Sequence, residues 1–340
     1  MSASADPTIS TALGRSEAIL WPAAVAATRQ RALDSVARAR SVGPHFFGNF
    51  IGISGRPAID GCACLELAVE PDAAPGGQIS ATAVATVADL TMTAAIRDRV
   101  GRQNRLGTIT LVVHHLQPVV RGPVRTEAVA TRVELDEKRG FARCEVRDRA
   151  GTLVAVSDGW FVAMPVARGQ RLGPVAWELP PDTPVPPVPE TELQPDERSA
   201  VEACAAAADR AATAGTSVVD ELLAMAWTAT VEGGVRGELG VGLQHVNRGG
   251  HVQGGVLYGA AALGAKRVVA EGMQLAEGHV SFLAPADGRT LVVESSVLRH
   301  GGRTSFAESR LTVDDRLVAT GMFTLHRPAQ STGPTGRRDS

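Results

Sequence analysis

Thr108-Ile-Thr-Leu-Val-Val-His-His-Leu-Gln-Pro118 returns, in altered form, as Leu275-Ala-Glu-Gly-His-Val-Ser-Phe-Leu-Ala-Pro285. Both stretches read as strands that end at proline, and each is followed shortly by glycine, Gly122 or Gly288. A long alternating strand comes next, Val124–Leu135 in one half and Thr290–Leu298 in the other. Turns at Asp136–Gly140 and His300–Gly302 lead to further strands, Phe141–Arg147 and Ser305–Val313. After turns at Arg149–Gly151 and Asp314–Asp315, Leu153-Val-Ala155 matches Leu317-Val-Ala319, and the last strands close at Pro165 and Pro328. The offset is 167 at the prolines (285 − 118) and 164 at the Leu-Val-Ala motif (317 − 153). A self-similarity of this length reads as a tandem duplication with small changes in the loops.

Working outward, each meander is preceded by one apolar helix, Ala81–Arg99 or Gly255–Ala270, and each helix by a strand pair, Phe46–Val69 or Leu222–His245. A long helix wrapped by an antiparallel sheet is an α+β architecture, here present twice. The expected organisation is a helical segment at 1–45 (helix Glu17–Ser41), a first unit at 46–166, and a proline-rich linker with a helix (Asp196–Ala212) at 167–218. A second unit at 219–328 and a disordered tail at 329–340 complete it.

The chain has 340 residues, 44% of them hydrophobic and 21% charged, with a net charge of −2. That length suffices for two cores, and the charge gives no reason to expect nucleic-acid or membrane binding. No apolar run reaches the ~18 residues of a membrane span, and no signal peptide is seen, so the cytoplasm is the expected compartment. The four cysteines lack zinc-type spacing; Cys62 and Cys64 alternate with Ala63 and read as small core residues, without disulfides.

Residues 247–255, Asn-Arg-Gly-Gly-His-Val-Gln-Gly-Gly, stand directly before the second helix. A glycine turn at a helix N-terminus presents free N–H groups and the positive helix end, which suits a developing oxyanion. In the first helix, Asp89 shares a weakly polar face with Ala85, Thr86, Met92 and Thr93, where an unpaired carboxylate is costly unless it is used.

The pattern is similar to the hotdog fold, and its repetition resembles a double-hotdog acyl-CoA thioesterase, over about 46–166 and 219–328. Hotdog thioesterases of the phenylacetate-pathway type carry Asn, five residues, then His-Gly-Gly at the helix start. An Asp follows seven residues after the second Gly, and a Ser or Thr lies ten residues before the strand-ending Pro. Mapped on this chain, the second half has Asn247, Gln253 in the His position, and Gly254-Gly255, but Ala262 and Leu275 in the acid and hydroxyl positions. The first half has Asp89 and Thr108, but Ser80 in the His position, Ala81-Thr82 for the glycines and Ala74 for the Asn. The resemblance therefore implies one complete site shared between the halves and one dead site. Asp89 would be nucleophile or general base, Thr108 its positioning partner, and Gly254 N–H the oxyanion donor, with Gln253 and Asn247 beside it. Gly255, His251 and Tyr258 are weaker candidates for touching substrate. The implied substrate is an acyl-CoA or acyl-carrier thioester, with no metal and no separate cofactor, in a homo-oligomer joined through the sheets. Departures are the glutamine in place of histidine and a half order opposite to that of type II acyl-CoA thioesterases. A CoA-thioester hydratase and a non-catalytic acyl-CoA-binding protein are the alternatives.

Overall fold

The computed structural model describes residues 8–68, 78–118, 122–166, 172–179 and 183–328, with side chains from residue 23 onward. The Ala74 position and the tail 329–340 lie outside them. The first half comprises β1 (Ile53–Gly55), β2 (Cys62–Leu67), β3 (Asn104–His115), β4 (Val124–Glu134), β5 (Arg139–Arg147) and β6 (Leu153–Pro165). Its helices are α1 (Thr8–Val42), α2 (Phe46–Phe50) and the long α3 (Ala81–Val100). After α4 (Pro195–Ala214) and α5 (Val218–Leu222), the second half adds β7 (Ala226–Ala229), β8 (Val235–Gly240), α6 (Gly254–Val268), β9 (Gln274–Phe282), β10 (Thr290–Arg299), β11 (Thr304–Val313) and β12 (Arg316–His326).

The strands form one antiparallel sheet ordered β1-β2-β4-β5-β6-β3-β9-β12-β11-β10-β8-β7. The order reads the same from both ends once each strand is matched to its counterpart, and β3–β9 is the central pair. Val112 pairs with His279 there, and 279 − 112 = 167, so the local twofold axis passes between equivalent residues. The register repeats as well. His115 pairs with Ala155 in one half and Phe282 with Ala319 in the other, with offsets of 167 (282 − 115) and 164 (319 − 155). This is a tandem hotdog, α+β, with α3 packed against β2 to β6 and α6 against β8 to β12.

α3 starts at an N-cap, Ser80, whose hydroxyl accepts the Ala83 N–H at 3.1 Å, and stops at Gly101, where φ is 79°. Between them Val84, Val87, Ala88, Met92, Ala95 and Ile96 are buried against the sheet. The two helices also cross each other. A Cβ on Gly255 would lie 2.5 Å from Thr86 Cα, and one on Gly259 2.6 Å from Thr82 Cγ2. The i, i+4 glycines of α6 thus lie on the i, i+4 threonines of α3 at backbone contact. That crossing fixes where one half's helix start meets the other half's helix middle.

Three expectations change. Phe46–Phe50 is helical rather than extended: Phe46, Phe47 and Phe50 are all buried, a spacing one helical turn satisfies, and His45 Nδ1 caps it by accepting the Gly48 N–H at 3.2 Å. In the second half the same place is taken by α5, so the strand pairs are shorter than Phe46–Val69 and Leu222–His245. Cys62 is exposed and Cys64 half-buried, because Ala63, Leu65 and Leu67 set the inward phase of β2. Beyond the sheet, α1 packs on α4, with exposed pairs Arg29–Glu190 and Arg40–Glu197 of the kind that contribute little singly. The linker residues 172–179 pass close to α2, where the Trp177 ring meets His45 edge-on at 4.7 Å between centroids.

Candidate active site

Asp89 stands in the middle of α3, only 4% exposed, and is held from both halves. Thr108, on neighbouring β3, donates to Asp89 Oδ1 at 2.9 Å. On the other side, Gln253 Nε2 lies 3.5 Å from Asp89 Oδ2. Gln253 is the N-cap of α6, with extended backbone (φ −67°, ψ 140°), and its Oε1 accepts the N–H groups of Gly255 (2.6 Å) and Val256 (3.2 Å). Accepting those two bonds orients the amide so that its NH₂ turns to Asp89. Gly254 comes next, where a Cβ would sit 3.2 Å from Asp89 Oδ2. As the first residue of α6, Gly254 has no carbonyl one turn back within the helix to donate to, and its N–H makes no hydrogen bond among the described residues.

Burial pushes the Asp89 carboxyl up to about 6, against the lowering effect of the Thr108 hydroxyl. The group is thus largely ionised at neutral pH and still basic enough to take a proton.

These residues line a cavity of about 410 Å³. Leu90, Leu106, Leu257 and Phe282 contribute apolar walls, and Asn247 and His251 lie along it. Asn247 serves mainly as a loop organiser, its Oδ1 accepting the N–H groups of Gly249 (2.8 Å) and His251 (3.4 Å). His251 Nδ1 is buried without a hydrogen-bond partner among the described residues.

Two weaker candidates fall elsewhere. Gly255 is not part of the cavity wall: its N–H is taken by Gln253 and its Cα faces Thr86, so it is a helix-crossing glycine. Tyr258 is fully buried under β9, 3.1 Å from His115 Nε2 and packed on Phe323. The 100° step per residue of a helix turns Leu257 to the cavity and Tyr258 away from it.

The cavity also has walls that the sequence did not suggest. His45 is buried, and desolvation holds its imidazole down to about 4, so it is neutral at physiological pH. Trp177 and Glu178 of the linker line the cavity together with Arg97, Arg105 and Arg248. A lone tryptophan in the proline-rich linker was the signal available for that docking.

At the mirror position the same elements carry different chemistry. Ala262 is 2% exposed where Asp89 would be, Leu275 stands for Thr108, and His115 for Phe282 (282 − 167 = 115). Among the described residues no three His, Cys, Asp or Glu side chains cluster to hold a metal ion, and no helix is long and apolar enough to cross a membrane.

Residues 244–326 match the family described as acyl-CoA thioesterase N-terminal domain, although they form the second half of this chain. Among solved structures, one described as an oleoyl thioesterase from Lactobacillus plantarum is similar at 10% identity and a TM-score of 0.52, covering 80% of this chain and 100% of that one. A hot dog fold protein from Alicyclobacillus acidocaldarius is similar at 12% identity and a TM-score of 0.52, covering 84% of this chain and 99% of that one. No curated protein matches the chain by sequence. The structural neighbours establish the hotdog fold, and residues 244–326 of the second half are similar to the acyl-CoA thioesterase family over less than half of the chain. Thioester hydrolysis is the class of activity this match supports.

Proposed function

We propose that this chain hydrolyses an acyl thioester of coenzyme A, or of an acyl carrier, to free acid and thiol at one composite site between its halves. The observation that carries this reading is the convergence on one carboxylate of an acid-side half (Asp89, Thr108) and an oxyanion-side half (Gln253, Gly254). The thioester carbonyl oxygen would lie at the start of α6, where the Gly254 N–H and the positive helix end stabilise the developing oxyanion. The Asp89 carboxylate then either attacks the carbonyl carbon, forming an anhydride that water cleaves, or takes a proton from the attacking water; in both routes the thiolate leaves and is protonated. Thr108 positions Asp89 and keeps it ionised. Asn247 holds the loop that precedes Gln253. We further propose that the two halves arose by duplication of one hotdog and that each has lost a different side of the site.

The test is release of thiol from a panel of acyl-CoA substrates by the wild-type protein and by Asp89→Asn, with folding checked by circular dichroism. Thiol release by wild type and its loss in Asp89→Asn support the mechanism. Full activity of the variant on every substrate overturns it. Hydration of crotonyl-CoA without CoA release would replace hydrolysis with hydratase chemistry, and tight binding without turnover would leave a non-catalytic acyl-CoA-binding protein.

A further inference from the structure

The cavity of the proposed hydrolase bears an excess of positive charge that the reaction does not use. Its lining carboxylates are Asp89 and Glu178, and its lining cations are Arg97, Arg105 and Arg248. Glu178 is already committed: its Oε2 takes Arg102 Nη2 at 2.7 Å and the Val175 N–H at 3.0 Å. Arg97 donates to the Asn104 carbonyl at 3.0 Å, and Arg248 donates through both Nη atoms to the Gly173 carbonyl at 3.3 and 3.1 Å. That same carbonyl also takes Arg102 Nη1 at 3.0 Å. Neither Arg97 nor Arg248 has a carboxylate partner among the described residues.

Backbone carbonyls orient these guanidinium groups but do not neutralise them. Burial, reinforced by Arg248 and only partly opposed by Glu178, brings Arg97 down to about 10, and burial likewise lowers Arg248 against the same carboxylate. Glu178 is the one carboxylate near both, and it is shared with Arg102, so the cations outnumber their counter-charge. Such an excess held out of water is costly, and an anionic ligand offsets that cost. Position says which anion. Asp89, Thr93 and Arg97 lie at i, i+4 and i+8 on one face of α3, which puts Arg97 ~12 Å from Asp89 along the axis (8 × 1.5 Å). Arg105 is exposed at the rim, so the cations run outward from the reacting centre to the surface. The forked donors of arginine match phosphate oxygens, which carry more charge than a single carboxylate.

Resting on the thioesterase reading, we propose that Arg97 and Arg248, clamped beneath the inter-domain linker at Gly173, bind the phosphate of a phosphopantetheine-type thiol carrier. The linker residues at Gly173 and Trp177–Glu178 are then part of the substrate site, and the acyl group lies on the Asp89 side of that anchor. Coenzyme A and the phosphopantetheine arm of a carrier protein share this chemistry.

The experiment compares acyl-CoA, acyl-phosphopantetheine and acyl-pantetheine as substrates of wild type, Arg97→Gln, Arg248→Gln and Arg97→Lys, with thermal unfolding run on each. A charge-assisted hydrogen bond is typically worth enough for about 10–100-fold in binding. The preference of kcat/KM for acyl-CoA over acyl-pantetheine should fall by about that factor in both Gln variants, through KM, and recover in part in Arg97→Lys. An unchanged preference in both variants overturns the proposal. Equal losses on acyl-phosphopantetheine and acyl-CoA in the Gln variants support the phosphate shared with a carrier protein, and a loss confined to acyl-CoA overturns that assignment in favour of the nucleotide phosphates. Should wild type hydrolyse no thioester, calorimetric titration with coenzyme A still decides. Binding that weakens in the Gln variants supports the phosphate site while the hydrolase reading falls, and absence of binding overturns the site too.

Discussion

The two hotdogs share strand order, register and helix placement, yet at equivalent points one carries a buried carboxylate and the other a buried methyl group. Asp89 and Ala262 are 4% and 2% exposed, so their surroundings differ in donors rather than in access to water. Around Asp89 stand Thr108 and the Gln253 amide, with Gly254, whose N–H is unbonded among the described residues, adjacent. Around the mirror position the hydroxyl has become Leu275 and the helix start is Ser80-Ala81. The fold is therefore kept twice while the polar cluster is kept once, because the packing tolerates an apolar residue wherever the donors have gone.

The largest expected effect breaks the asymmetry at its centre. Asp89→Asn should lower kcat by roughly 10²–10⁴-fold in a thiol-release assay, the usual weight of a general acid or base. The same change should raise the melting temperature at neutral pH. The folded pKa of about 6 lies above the ordinary 3.8, so the native state holds the proton more tightly. Stability therefore falls as pH rises from about 4 to about 6 and stays reduced above, by on the order of 3 kcal/mol. A melting curve at neutral pH that drops in Asp89→Asn would contradict this account. The reciprocal variant, Ala262→Asp with Leu275→Thr, should add no second active site, since the facing helix start lacks the glycine and glutamine. It should instead destabilise the protein by about 1–3 kcal/mol through a poorly satisfied buried carboxylate.

One step smaller is the comparison of the two helix caps. Gln253→Ala removes both the α6 cap and the amide facing Asp89, and should cost ~10²-fold in kcat, the lower end for an oxyanion-site donor. Ser80→Ala removes the corresponding cap of α3 and should cost only about 1 kcal/mol of stability, with kcat unchanged. Equal kinetic effects of the two would dissolve the distinction between a catalytic and a structural helix start.

The repeat was legible in the sequence because it depends on spacing, and the cluster around Asp89 because the chain resembles a known motif. The prolines and the Leu-Val-Ala motif carry the register, and their offsets reappear in the strand pairings. Asp89, Thr108, Gln253 and Gly254 were found by carrying the hotdog thioesterase motif onto this chain from a helix start and a strand end. What escaped has no such period. Arg97, Arg105 and Arg248 come from a helix end, a strand start and a loop, and meet only after the chain folds. Local competition accounts for the other misses. The alternation in β2 was right but its phase was set by Leu65 and Leu67, and the aromatic cluster Phe46–Phe50 was buried better by a turn of helix.

A pH profile sharpens the acid side further. For wild type, kcat/KM should rise with pH through about 6 as Asp89 ionises, then level. The Thr108 hydroxyl is the contact that lowers this pKa, so Thr108→Val should move the midpoint upward and reduce activity most at the acid end. A loss that is uniform across pH would assign Thr108 to packing alone.

The smallest effect concerns Tyr258, which proximity in sequence places near the site and the fold places across the helix from it. Its hydroxyl faces His115, and desolvation drives that imidazole down to about 3 and raises the phenol, so both partners are neutral. Tyr258→Phe removes one hydrogen bond between neutral groups, worth about 1 kcal/mol, and leaves the ring against Phe323. Melting should fall slightly, with KM and acyl preference unchanged. Leu257→Ala, one residue earlier on the cavity side, should instead change acyl preference, because the side chain it truncates lines the wall. A shift in acyl preference from Tyr258→Phe would mean that the acyl group reaches under β9, and the boundary between the proposed site and its mirror position would have to be redrawn there.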